Sequence, residues 1–293
     1  MNQVFILGSE DPEMDHIEEI LLFNNLSYGY ATKNGKRCHP GNSYHADNDL
    51  SKYDQIIFIE ANTTVSYKNT ISFDHHHEGD YGYHLNHEDF LTASSIGQLI
   101  SYLIKNKLCQ TDNFVHSTSN VQNFMFIDNQ WVFLFDNKKF FIPQKYVISA
   151  AYDHSLCAVY QDLCKGICVQ SVFSSRLLDF SNRFDLHLDV IYNLISEYSI
   201  HFQKNKREIR DLSFIDVGIG YSLDYLLLRE LAFYNNQPIV LKTKNTHSDN
   251  DKLMFLSLSV KEASELLETK IFNNTPLNSI FGVPNRGYVG AFI

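Results

Sequence analysis

The stretch Thr70-Ile71-Ser72-Phe73-Asp74-His75-His76-His77-Glu78 joins a short apolar and β-branched run to a cluster of carboxylate and imidazole side chains. The turn-forming residues Gly79-Asp80-Tyr81-Gly82 follow, so the pattern predicts a strand that ends in a loop. In open α/β sheets, ligands bind outside the carboxyl ends of the strands. Carboxylates and imidazoles placed there suit a divalent cation such as Mn²⁺, Mg²⁺ or Zn²⁺. A solvated polar loop is the alternative interpretation.

The first half of the chain alternates strand-like and helix-like segments. Apolar runs predict strands at Val4–Leu7, Gln55–Glu60 and Thr70–Phe73. Helical spacing of apolar residues predicts helices at Met14–Phe23 and Thr92–Asn106, with Thr92 as the N-cap. This alternation predicts βαβ units and a mainly parallel sheet flanked by helices, that is, an α/β fold.

Two further regions complete the predicted organisation. Phe124–Phe141 contains three short aromatic strands separated by polar turns, which predicts a hairpin insertion into the α/β domain. The C-terminal part again has an α/β pattern, with helices at Ser222–Tyr234 and Lys261–Lys270 and a polar turn at Asn245–Asp251. We therefore predict a larger domain over residues 1–205 and a smaller α/β domain over residues 206–293.

Composition narrows the class of protein. Of the 293 residues 44% are hydrophobic, enough for a packed core, and no apolar run reaches the roughly 18 to 20 residues that span a bilayer. The N-terminus lacks the features of a signal peptide. Five cysteines without a Cys-x-x-Cys pair are typical of free thiols in a reducing compartment. We expect a cytoplasmic protein that does not associate with membranes.

The formal net charge of −10 limits the partners. Proteins that follow long nucleic acids usually carry a basic face. The one strong basic cluster, Lys204–Arg207 with Arg210, is typical of the end of a helix or of a linker. A small phosphorylated substrate or a short oligonucleotide therefore fits better than a long duplex.

Four segments with acidic or imidazole groups follow the predicted strands: residues 9–16, Glu60, Asp74-His75-His76, and Asp153-His154. Separate strands that each contribute one or two ligands can assemble a two-metal site. Such a site stabilises both the attacking and the leaving oxygen of a phosphoryl transfer.

In these segments the chain resembles the DHH family of metal-dependent phosphoesterases, which is named for its Asp-His-His motif. That motif is matched by Asp74-His75-His76. The family's opening motif is matched by Ser9–Asp15, its acidic residue after an apolar strand by Glu60, and its last metal motif by Asp153. The order and intervals agree over roughly residues 4 to 155. Ser9 stands where the family has histidine, and Glu13 and Glu60 stand where it has aspartate.

The resemblance implies a role for each matched residue. Metal ligands would be Glu13, Asp15, Glu60, His76 and Asp153, and catalytic groups beside the metal would be Asp74 and His75. The family's glycine-rich C-terminal motif is loosely matched by residues 282–290, which implies that Arg286 binds a substrate phosphate. His154, next to Asp153, is also assigned to substrate binding.

The implied activity is hydrolysis of a phosphodiester or phosphoanhydride, in a small nucleotide or short oligonucleotide between the two domains, by metal-activated water. Mn²⁺ is the expected metal, with Mg²⁺ or Zn²⁺ as alternatives, and a homodimer is compatible with the pattern. A catalytically inactive DHH-like protein that binds a nucleotide or a protein partner is a second interpretation. A mononuclear zinc hydrolase using His76, Asp153 and a neighbouring imidazole is a third.

Several other residues have simpler interpretations. Asp11 precedes a proline at a predicted helix start, which is typical of N-capping. The pair His84 and His87 lies in a polar loop, and His39 and His45 lie in another, so solvated loops are the better interpretation of both.

Overall fold

A computed structural model describes residues 2–83, 85–109, 114–117, 121–202, 214–219, 222–244 and 251–293. The chain divides into two compact units, residues 1–154 with 164–167, and residues 155–163 with 168–293. Residues 155–163 and 168–202, which the sequence interpretation placed in the first domain, therefore belong to the second unit. The predicted boundary near residue 205 lies outside the described residues. No helix among the described residues is long and apolar enough to cross a bilayer.

The first unit is built on a parallel sheet, as predicted, but the sheet has four strands where the sequence indicated three. Its strands lie in the order β2 (Tyr28–Tyr30), β1 (Gln3–Leu7), β5 (Gln55–Ile59) and β6 (Thr70–Phe73). After their first residues, Gln3 and Gln55, strands β1 and β5 are apolar and buried, as expected for a sheet that is covered on both faces. The helices α1 (Pro12–Phe23), α2 (Phe90–Ala93) and α3 (Ser95–Lys105) belong to this unit, as does the small hairpin of β3 (Thr32–Lys33) and β4 (Lys36–Arg37).

The predicted helix over Thr92–Asn106 is in fact two helices. Ser94 has extended φ/ψ and separates α2 from α3, and its hydroxyl accepts a hydrogen bond from the Gly97 backbone N–H at 3.2 Å. Ser94, not Thr92, is therefore the N-cap of the longer helix. Because the helix is broken at Ser94, the first backbone N–H groups of α3 have no acceptors within the helix and can bond to other side chains.

The predicted hairpin insertion forms an antiparallel sheet in the order β7 (Phe114–His116), β10 (Lys138–Phe141), β9 (Gln130–Phe135) and β8 (Asn123–Ile127). Its two-residue turns, Asp128-Asn129 and Asp136-Asn137, have φ between 50° and 62°. Asp and Asn tolerate this left-handed backbone, and such turns match the twist of paired strands. The sequence therefore specifies these hairpins locally.

Helix α4 (Gln144–Tyr160) runs from the first unit into the second, and its backbone is non-helical at Ser155. The second unit continues with α5 (Val169–Phe184), α6 (Leu188–Tyr198) and a five-stranded sheet. That sheet has the order β11 (Phe214–Ile219), β12 (Ile239–Lys244), β13 (Asp251–Leu256), β17 (Tyr288–Phe292) and β16 (Asn278–Val283), and only β11 and β12 are parallel. Helix α7 (Leu223–Tyr234) connects those two strands, and α8 (Val260–Thr269) packs on the apolar core of the sheet. A two-stranded ribbon is formed by β14 (Ile271–Phe272) and β15 (Thr275–Pro276).

All five cysteines are free, and their surroundings predict different reactivities. Cys168 is exposed at the N-cap position of α5, where the nearby backbone N–H groups of Gln170 and Ser171 and the Ser171 hydroxyl lower the pKa of its thiol. Burial raises the pKa of the Cys109 thiol to about 11 and also raises the pKa of Cys157. Because the thiolate is the nucleophile, we expect iodoacetamide near pH 7.5 to alkylate Cys168 first.

Peptide mapping by mass spectrometry over a time course measures this order of alkylation. The Cys168→Ser variant should lose the fast phase and keep the slow ones. Equal rates at Cys168 and Cys157 in the folded protein would contradict the prediction.

Candidate metal centre

Four side chains from separate parts of the first unit converge beyond the carboxyl ends of β5 and β6. Glu60 directly follows β5, and His75 and His76 follow β6. Asp153 lies near the middle of α4, not after a strand as the sequence interpretation had placed it. Each offers one ligand atom, and these atoms all lie within 4.8 Å of one another. Two carboxylates and two imidazoles at this spacing form a donor set that could hold a metal ion.

His75 and Asp153 make the closest approach in this cluster. The His75 Nε2 atom lies 2.8 Å from the Asp153 Oδ2 atom, yet this buried nitrogen makes no hydrogen bond to any described residue. Ligands about 2.1 Å from a cation and at right angles to each other are roughly 3 Å apart. The contact therefore has the separation that two neighbouring ligands of one cation would have.

Glu60 is held in place by both its side chain and its backbone. The Ser95 hydroxyl donates to Glu60 Oε1 at 2.8 Å, and the His75 Nδ1 atom lies 3.9 Å from that oxygen. Glu60 has φ of 49°, a left-handed conformation uncommon for a residue with a side chain. Gly8 packs so closely against it that a Cβ atom on Gly8 would lie 2.3 Å from the Glu60 carbonyl oxygen. Glycine at the end of β1 is thus required for this arrangement.

Glu13, in the first turn of α1, directs its carboxyl group at the start of α3 and adds a third acidic side chain near the cluster. Its Oε1 atom accepts a hydrogen bond from the Ile96 backbone N–H at 3.0 Å, but its buried Oε2 atom has no hydrogen-bond partner among the described residues. Burial, together with the negative charges of Asp153 and Glu60, raises the pKa of the Glu13 carboxyl well above its ordinary value. A buried carboxylate oxygen without a donor is costly, and a cation would relieve that cost.

Asp74 positions the neighbouring histidine. Burial disfavours its charged form, but hydrogen bonds from His76 and Tyr44 outweigh this effect and hold the pKa of the Asp74 carboxyl below its usual value. Its Oδ1 atom lies 3.0 Å from His76 Nδ1, and the Tyr44 hydroxyl donates to Oδ2 at 2.8 Å. This contact places the imidazole proton on Nδ1, so that Nε2 carries the lone pair that a metal requires.

The structure corrects the prediction for Asp15. Asp15 is exposed, near Glu18, Glu19 and Tyr146, and is not part of the cluster. Residues two positions apart point to nearly opposite sides of a helix, so Glu13 and Asp15 cannot both face the sheet end once α1 begins at Pro12.

Asp11, which directly precedes α1, lies near the cluster, unlike Asp15. It caps α1 by accepting from the Met14 backbone N–H at 2.8 Å, as the sequence predicted. Burial and the negative charges of Glu60 and Asp153 also raise the pKa of its carboxyl well above the ordinary value. Asp11 thus combines helix capping with a place in the same electrostatic environment.

The two residues assigned to substrate binding lie in different units. His154 is buried in the first unit, with its ring 5.2 Å from that of His75 and its Nε2 atom 3.0 Å from the Leu85 carbonyl oxygen. Arg286 is half-buried in a short 3₁₀ turn, Pro284–Arg286, of the second unit. It is therefore not among the residues that the first unit brings together.

Comparisons with protein-family models, curated proteins and solved structures found no match to this chain. The interpretation of the site therefore depends on its own geometry.

Two supporting residues were missed by the sequence interpretation. Ser95 fixes Glu60, and Tyr44 fixes Asp74. Neither belongs to a motif, because each reaches the site through tertiary structure.

A second group, Asp74, His77 and Asp80, also places one ligand atom of each residue within 4.8 Å of the others. There the Asp80 Oδ2 atom accepts from the His77 backbone N–H at 2.7 Å, which is ordinary turn bonding. His84, Lys204–Arg207, Arg210 and residues 245–250 lie outside the described residues.

Proposed function

We propose that this chain is a metal-dependent phosphoesterase of the DHH type that hydrolyses a phosphodiester or phosphoanhydride in a small nucleotide or short oligonucleotide. The observation that carries the proposal is the cluster of Glu60, His75, His76 and Asp153, whose ligand atoms lie within 4.8 Å of one another. Its position beyond the carboxyl ends of parallel strands is where ligands bind in α/β sheets.

The residues present fit a divalent cation. Two imidazoles and two carboxylates suit Mn²⁺ or Zn²⁺ better than Ca²⁺, and we propose Mn²⁺. The buried Nε2 atom of His75 and the buried Oε2 atom of Glu13 make no hydrogen bond to described residues, so both offer lone pairs that a cation could use. When bound, such a cation supplies a water of lowered pKa as the nucleophile.

The side chains around the cluster would orient its ligands. Ser95 keeps Glu60 at the start of α3, and Asp74 fixes the His76 ring. These supports matter because groups that orient ligands commonly change metal affinity by about 10-fold to 100-fold. With a net charge of −10, the chain favours a small phosphorylated substrate over a long duplex.

A second candidate function is a DHH-like binding protein without hydrolytic activity. Two observations favour it: Ser9 stands where the family motif has histidine, and Asp15 is exposed rather than directed at the cluster. Both reduce the number of ligands for a second cation, and a single cation would leave the two-metal mechanism incomplete.

Metal loading followed by an assay on a phosphodiester tests the proposal. The full chain should bind Mn²⁺ by calorimetry and should then hydrolyse bis-(p-nitrophenyl) phosphate or a short oligonucleotide. His76→Ala and Asp153→Ala should lose both properties.

His187→Ala serves as the matched control, because it also removes an imidazole but from an exposed position in the second unit. Mn²⁺ binding without turnover on either substrate would favour the binding protein. Absence of binding for Mn²⁺, Mg²⁺ and Zn²⁺ would exclude the metal-dependent phosphoesterase.

A further inference from the structure

Arg37 belongs to β4, and its side chain reaches the carboxyl end of β1, where two contacts hold it. Its Nε atom donates to the Gly8 carbonyl oxygen at 3.4 Å, and its guanidinium lies 4.1 Å from the centre of the Tyr30 ring. The Tyr30 hydroxyl in turn donates to Glu18 at 2.7 Å. The orientation of the guanidinium is therefore set before any ligand arrives, which reduces the entropy lost on binding.

The guanidinium lacks a strong anionic partner within the described residues. Its buried NH2 nitrogen makes no hydrogen bond to any of them. The NH1 nitrogen lies 4.0 Å from the Glu10 carboxylate, at the limit of an ion pair, and the Glu10 side chain is 76% exposed. Such an exposed pair contributes little. An arginine fixed in this way, with donors unused, is typical of a site for an oxyanion.

A single residue, Gly8, connects Arg37 to the candidate metal centre. Its carbonyl oxygen contacts Arg37, its backbone N–H donates to the Ile59 carbonyl oxygen at 2.9 Å, and its Cα packs against the Glu60 backbone. Arg37 thus lies on the same edge of the sheet as Glu60. Several carboxylates there would repel an anion, and Arg37 supplies a fixed positive charge beside them.

We propose that Arg37 binds a phosphate group of the ligand at the candidate metal centre, with its NH1 and NH2 groups as donors. This inference rests on the proposed function for the class of ligand, a phosphate ester. The Arg37 side chain is 26% exposed, so a ligand at this edge of the sheet can reach it. Arginine suits this role because its planar fork matches two phosphate oxygens at once.

Calorimetric titration of the full chain with inorganic phosphate, with and without Mn²⁺, tests the inference. Arg37→Gln should weaken phosphate binding by about 10-fold to 100-fold, as expected for the loss of charged hydrogen bonds, while Mn²⁺ binding is retained. The phosphate affinity of Arg37→Lys should lie between those of the parent chain and Arg37→Gln, because lysine keeps the positive charge but lacks the planar pair of donors. Lys36→Gln, at the exposed neighbouring position, should bind phosphate like the parent chain.

The outcomes separate this inference from the proposed function. Unchanged phosphate affinity in Arg37→Gln, with an unchanged melting temperature, would overturn the role of Arg37 even if Mn²⁺ still binds. Failure to bind Mn²⁺ would overturn the proposed function, whereas the metal-free phosphate titration would still test Arg37. Acetate that binds as tightly as phosphate, and loses affinity equally in Arg37→Gln, would overturn the assignment to phosphate.

Discussion

The Glu60→Gln variant is expected to lose Mn²⁺ binding by more than about 100-fold while remaining at least as stable as the parent chain without metal. The loss follows because glutamine removes one anionic ligand from the cluster, and even groups that only support ligands cost about 10-fold to 100-fold. The stability follows because Glu60 is one of the negative charges that raise the pKa of Glu13. Removing that charge relieves repulsion between buried carboxyl groups.

Calorimetry of Mn²⁺ binding and thermal melting in the presence of a chelator measure the two effects. Asp15→Asn is the matched control: it also neutralises a carboxylate of the first unit, but at an exposed position outside the cluster. The DHH resemblance assigns Asp15 to the metal, whereas the helix geometry excludes it, so this control also tests the correction. A purely structural role for Glu60 would instead lower the melting temperature and leave the Asp15→Asn and Glu60→Gln chains with equal Mn²⁺ affinity.

Much of the fold could be predicted because local sequence patterns identify most of its central strands and hairpin turns. Strands β1 and β5 are continuous apolar runs, and the Asp-Asn pairs specify the hairpin turns. Strand β2 was not predicted, since Tyr28-Gly29-Tyr30 is short and contains glycine. Its strand conformation comes from pairing with β1, where Phe5 lies opposite Tyr28, and such pairing cannot be seen in a three-residue segment.

The site was predictable only where topology alone determines position. Residues that directly follow parallel strands must meet at one edge of the sheet, which is why Glu60 and His76 come together. Asp15 was assigned by motif, but the point at which α1 begins decides which carboxylate faces inward. Ser95 depends on the break at Ser94, which the helical spacing of apolar residues does not reveal. Sequence patterns thus predicted at which edge of the sheet the site lies, whereas the exact helix boundaries determine which side chains face it.

Replacing Glu230 with alanine is expected to destabilise the second unit by about 3–5 kcal/mol, the usual cost of removing one partner from a buried ion pair. Glu230 in α7 is 0% exposed. It accepts a hydrogen bond from the Tyr160 hydroxyl, and its Oε2 atom lies 3.9 Å from the Nε atom of Arg176 in α5. Alanine would leave the buried Arg176 guanidinium with Asp179, at 2.8 Å from its NH1 nitrogen, as an ion-pair partner but without the charge of Glu230, and would also leave a cavity.

Urea denaturation followed by circular dichroism measures this loss. Tyr160→Phe is the matched control, because it removes the hydroxyl that contacts Glu230 but keeps the ring and the ion pair, so its cost should be only about 1–2 kcal/mol. Glu230→Met tests the source of the effect: it restores most of the volume but not the charge, so it should recover less than half of the lost stability if the ion pair dominates. Full recovery in Glu230→Met would show instead that packing between α5 and α7, rather than charge compensation of Arg176, is what Glu230 contributes.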